Sequence, residues 1–147
     1  MKDLLKIKGQ VNLILKDKEG NIKKEVKNHN LIVSKGKDGI AEQLLDSPTI
    51  AKPAYMQIGT NDTKPILNDT SLKAAVGPRV RIGKQRKLNV VTYKGVFGPG
   101  QGTGTIKEAG IFNAQTGGVL YARTVFGVIT KGSEDTLEVT WSWTIGA

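Results

Sequence analysis

The chain is expected to be mainly β, an antiparallel β-sandwich or jelly-roll-like domain with one short helix. Apolar and polar residues alternate with a period of two along most of its 147 residues, as in strands with one buried face. Eighteen glycines and several Asn/Asp-rich turns punctuate those runs. Helical spacing of apolar residues occurs in one segment only, so the pattern gives seven or eight strands and one helix.

The first element is a basic hairpin over residues 1–30. Leu5, Ile7, Gly9, Val11, Leu13 and Leu15 share one face, "KDKEGN" turns the chain, and "NIKKEV" returns it. Its outer face is nearly all lysine, as suits an edge. A helix is expected over 34–46, with Ile40, Ala41, Leu44 and Leu45 as its apolar stripe and Pro48 beyond its end. The remaining strands occupy 54–147. Ala54–Ile58 is short and runs into a polar loop. "RVRIGKQRKLNVVTYKGV" is a long strand or strand pair bent near Gly83, and "FGPGQGTG" reads as a flexible hairpin loop. "TIKEAGIF" and "VLYARTVFGVI" form a second hairpin. The closing strand sets Leu137, Val139, Trp141, Trp143 and Ile145 on one face. With neither a repeat nor a linker, the expectation is one domain over 1–147.

Composition narrows the chemistry. Without cysteine there is no thiol nucleophile, Cys-bound zinc or disulfide framework. Lysines interrupt every apolar run of "MKDLLKIKGQVNLIL", so it holds neither a signal-peptide core nor a membrane span. The one histidine, His29, sits in the polar turn "KNHNL" with no G-x-S-x-G elbow to serve. The carboxylates Asp62, Asp69, Glu134, Asp135 and Glu138 lie in turn-like or solvent-facing contexts, which fits backbone capping better than a glycosidase pair. "DKEGN" lacks the glycine and glutamate spacing of a calcium loop. "GPGQGTG" runs into a strand and carries no Lys-Ser/Thr, so it is not a phosphate loop. No catalytic residue, metal ligand or cofactor site is expected.

The net charge of +9 is concentrated. Between Asp69 and Glu108 no acid occurs, whereas Lys73, Lys84, Arg86, Lys87, Lys94 and Lys107 form a candidate basic docking surface. Stacking aromatics are sparse there, which favours a solvated strand face or a docking surface for an acidic protein partner over nucleic acid. A nucleic-acid module using this strip is the alternative. A carbohydrate-binding module would require Trp141 or Trp143 to be exposed.

Glu108 is the anomaly. Alternation places it on one face with Ile106, Gly110 and Phe112, where a carboxylate could be a catalytic acid, a metal ligand or half of an ion pair. An unpaired buried carboxylate costs several kcal/mol. The expectation is a structural pair with Arg79 or Arg81, which share a strand face in "GPRVRIG".

Read in order, "NLIVSKGKDGIAEQL", "MQIGTNDT", "DTSLKAAVGPRVRI", "TIKEAGIF" and "GGVLYARTVFGVITKGSEDTLEVTWSWTI" resemble small virion proteins of tailed bacteriophages, in particular the tail-collar fibre family. The positions that carry the resemblance are Gly39, Ile58, Gly59, Asp69, Thr70, Leu72, Arg79, Glu108, Gly110 and Phe112. It implies a non-enzymatic virion structural protein, a homo-oligomer and by family habit a trimer, whose partners are capsid or tail proteins. The leading lysine-rich hairpin and the end at Ala147 give the expectation of a compact exterior decoration protein, with a collar, baseplate or fibre component as the alternative.

Overall fold

In a computed structural model, residues 5–146 are described; residues 1–4 of the expected hairpin, and residue 147, lie outside them. The elements in chain order are β1 (Ile7–Lys16), β2 (Ile22–His29), β3 (Leu31–Ile32), α1 (Ser34–Glu42), β4 (Tyr55–Gly59), β5 (Ala75–Arg81), β6 (Gly83–Lys87), β7 (Val90–Phe97), β8 (Gly104–Phe112), β9 (Leu120–Lys131) and β10 (Thr136–Ile145). They build two antiparallel five-stranded sheets, ordered β2-β1-β10-β7-β6 and β3-β9-β8-β4-β5. The expected mainly β architecture is therefore what the chain adopts.

The core lies between the sheets. Val11, Leu13 and Leu15 of β1, Tyr93 and Phe97 of β7, and Leu137, Val139, Trp141 and Trp143 of β10 come from the first sheet. Met56, Ile58, Ile106, Ala109, Ile111, Phe126 and Ile129 come from the second. β1 is no appendage, because it pairs along its whole length with β10, from Ile7↔Ile145 to Lys16↔Thr136. Both indole N–H groups, of Trp141 and Trp143, donate to Asn30 Oδ1. Gly9 faces that amide, and a β-carbon there would overlap it. Trp141 is fully buried and Trp143 3% exposed, which leaves neither ring free to stack on a sugar.

Four local expectations need correction. The helix ends at Glu42, not residue 46, and Leu44 and Leu45 are exposed beyond it. Its buried face is Gly36 and Gly39. These lie so close to the backbone and ring of Tyr121 on β9 that side chains there would collide, so the helix packs through missing β-carbons. The segment around Gly83 is three strands: the chain leaves the second sheet after Arg81 and enters the first at Gly83. "FGPGQGTG" is no hairpin loop, since β7 and β8 belong to different sheets and the loop crosses between them. It is fastened by Gly98 N donating to Gln101 Oε1 at 2.9 Å and by the buried Lys131 Nζ donating to Gly98 O at 2.8 Å.

Lastly, the alternation in β8 is broken. The β8–β9 register shifts between Ile106 and Glu108. Ile106 joins Ala109 and Ile111 in the main core, whereas Gly110 and Phe112 turn to the opposite face against Leu72 and Leu120. Glu108 goes with them.

Two outcomes follow from this packing. Gly36→Ala should lower stability by about 1–3 kcal/mol through overpacking, read as a lower urea midpoint. Gly83→Ala, with nothing near its β-carbon, should leave the midpoint almost unchanged. Burial, and then the neighbouring Tyr121, raises the Tyr93 hydroxyl from 10.0 to about 12. The fold thus favours the neutral phenol. That stabilisation is intact below pH 10 and should fade between pH 10 and 12, seen as a stability loss that Tyr93→Phe abolishes.

Candidate functional site

The loop spanning residues 60–74 crosses the outer face of the second sheet, and Glu108 of β8 is what it closes upon. The Glu108 side chain is fully buried. Its Oε1 accepts Arg123 Nε at 2.9 Å and Lys73 N at 3.0 Å. Its Oε2 accepts Ala74 N at 2.8 Å and Asn61 N at 3.3 Å. Four donors thus converge on one carboxylate, three of them backbone amides from the two ends of the loop.

Arg123 of β9, cross-strand from Gly110, extends the network. Its Nη1 donates to Thr63 O at 2.7 Å and to Asp69 Oδ2 at 3.3 Å. Asp69 Oδ2 also accepts Ile66 N at 3.1 Å, and the Lys73 ammonium lies 3.4 Å from Oδ1. Two carboxylates and two cations balance, and the carboxylates and Arg123 are out of water. Beneath the loop, Val33, Leu72, Phe112 and Leu120 make a second small core.

The ion-pair expectation is therefore corrected in its partner. Glu108 binds Arg123, not Arg79 or Arg81. Arg79 lies over the Phe112 ring at 3.6 Å and donates to Ala114 O, Gly117 O and Gln57 Oε1. Arg81 reaches the Tyr55 hydroxyl at 3.3 Å. Both sit on β5, the edge strand, while β9 is the direct neighbour of β8. In the sequence Arg123 stands inside the apolar run "VLYARTVFGV", the same anomaly that singled out Glu108.

Seven of the ten positions that carry the resemblance converge here. Gly59 faces the carboxylate, and its β-carbon would fall 2.5 Å from Glu108 Oε2. Gly110 makes room for Leu72 and Leu120 in the same way. With Asp69, Leu72, Arg79, Glu108 and Phe112 they form one packed unit that holds a loop. Ile58 lies in the main core, Gly39 is on the buried face of α1, and Thr70 is exposed. Fully buried and saturated with donors, Glu108 has no free edge to offer a substrate.

The six-residue basic strip separates. Lys84, Arg86 and Lys87 stand on β6, an edge strand exposed at all five positions. Lys94 is on the neighbouring β7, 3.5 Å from Glu138. Lys73 is engaged by Asp69, and Lys107 belongs to the other sheet. His29, the last residue of β2, is exposed. Among the described residues, no group of three His, Asp or Glu side chains could hold a metal ion.

No protein-family model, no curated protein and no solved structure matches the chain.

Removing one member of the buried pair should be severe. Arg123→Met should cost about 3–5 kcal/mol in a urea melt, because Glu108 loses its cation inside the protein. Glu108→Gln keeps the shape while removing the charge. Its specific mark should be faster hydrogen exchange at the Lys73 and Ala74 amides, with protection in the β1–β10 ladder retained.

Proposed function

We propose that the chain is a non-enzymatic structural protein of a tailed-bacteriophage particle, an accessory on its exterior that docks to other virion proteins. One observation carries this reading. Seven of the ten positions that resemble the tail-collar fibre family meet in three dimensions in a loop-fastening unit centred on Glu108, which Arg123 completes. That clustering is what supports the resemblance.

Charge supplies the docking face. Lys84, Arg86 and Lys87 of β6 have no acidic partner within 4.0 Å among the described residues, whereas Lys16, Lys23, Lys73 and Lys94 each do. An acidic protein surface would be drawn to this edge, and salt would weaken the attraction. β6 carries no aromatic ring for base stacking, which supports an acidic protein over nucleic acid as the partner.

Immunogold microscopy of particles from the phage that encodes the chain tests the reading. Label over the heads is the expected result. Label confined to the tail would make the chain a collar, baseplate or fibre component, and unlabelled particles would overturn the virion reading. Sedimentation of the purified protein would check the trimer that the resemblance implies. In a co-sedimentation assay, the triple substitution of Lys84, Arg86 and Lys87 by Glu should weaken attachment at least about tenfold at low salt, a loss of about 1.4 kcal/mol or more. Attachment indifferent both to these changes and to salt would remove β6 as the docking edge.

A further inference from the structure

The two lateral edges of the sandwich are finished differently. At the β2 edge, hydrogen bonds from Asn28 Nδ2 to Val125 O, from Lys24 Nζ to Val128 O and from Thr124 Oγ1 to His29 O tie the sheets together. An apolar groove of about 310 Å³ opens instead along β1, β10 and β7 and reaches the β6 edge at Lys84. Ile7, Ile40, Val91, Tyr93, Tyr121 and Trp143 line it, so it draws on both sheets and the helix. Of all the lining residues only two are exposed, and both are lysines, Lys52 and Lys84.

This juxtaposition carries a chemical instruction. Desolvation, and then the like charges of Arg81 and Lys52, lower the pKa of the Lys84 ammonium. Among the described residues no carboxylate lies within salt-bridge reach of any of the three. Beside them runs β6, whose backbone pairs with β7 on one side only. Unpaired edge N–H and C=O groups are a template for another strand. Lysines on an edge also discourage self-pairing, because a second copy would set cation against cation. A strand bearing acids removes that repulsion.

We propose that β6 and its groove form a docking site for an extended acidic segment of a partner protein, which adds to β6 as a strand and seats one large apolar side chain between Lys52 and Lys84. This rests on the docking reading above only for the class of partner. The groove and the open edge are properties of the chain itself.

The test uses the whole purified protein and synthetic peptides, so it needs no particle. A fluorescein-labelled peptide Thr-Asp-Glu-Leu-Glu-Asp-Thr is titrated by anisotropy beside its counterpart with Ser in place of Leu. The leucine peptide should bind at least about tenfold more tightly, since burying that side chain supplies the difference. Raising salt should weaken both, and Lys84→Glu, an exposed change, should weaken the leucine peptide at least about tenfold. Exchange of β6 amides should slow in the complex. Equal affinity for the two peptides, or no binding of either, would overturn the proposal. So would unchanged β6 exchange, or sodium decanoate displacing the peptide at concentrations below the peptide's own, which would assign the groove to a lipid-like anion. A chain absent from particles would leave this result untouched, and failed peptides would leave the particle reading standing.

Discussion

The Glu108–Arg123 pair is the constraint around which the second sheet is arranged. A strand that buries both of its faces needs a cover on each side, and the cover here is a loop whose backbone polar groups must be satisfied. Glu108 satisfies three of them at once, at Asn61, Lys73 and Ala74, and Arg123 satisfies the Thr63 carbonyl. The charges do what an apolar filling could not, which is to bind irregular backbone in one arrangement. Energy alone would not select them, because well-packed apolar residues often replace buried ion pairs at no loss. What the pair contributes is specificity: only this loop path presents those amides to that carboxylate.

The pair imposes further requirements nearby. Gly59 and Gly110 leave space for the carboxylate and for Leu72. The register shift in β8 lets a strand that contributes Ile106 to the main core deliver Glu108 and Phe112 to the other side. Without it, strict alternation would set Glu108 beside Ile106 between the sheets, far from any loop amide. The irregularity in the ladder and the buried charge are two parts of one solution.

That coupling decides how much was legible beforehand. The regular β1–β10 ladder announced itself: β10 buries Leu137, Val139, Trp141 and Trp143, as its alternation implies, and β1 does the same with Val11, Leu13 and Leu15. Glu108 was conspicuous because a carboxylate among apolar residues demands a partner. Which arginine answers depends on strand order: the hairpin expected of "TIKEAGIF" and "VLYARTVFGVI" already sets Arg123 on the strand beside Glu108, whereas Arg79 and Arg81 stand on β5, beyond β4. The helix misled for a related reason. Its apolar stripe is expected among large side chains, yet contact with Tyr121 is made by glycines, which carry no hydrophobic signal. The basic strip was contiguous only along the chain; the crossing at Ile82 and the loop before β8 distribute it over two sheets.

The same crossing gives the molecule its asymmetry. Because the chain passes from β5 to β6 across one flank, neither strand has a further partner in its own sheet there, whereas the opposite flank is laced by β2 and β9. An open flank with an apolar interior invites unspecific pairing unless something opposes it. Charge opposes it, and it does so selectively. Lys84, Arg86 and Lys87 penalise a second copy of this chain and any neutral strand that cannot compensate them, while an acidic strand is relieved of that penalty. On the proposed docking reading, the charges that disfavour self-pairing at this edge are therefore also the ones that select an acidic strand to close it.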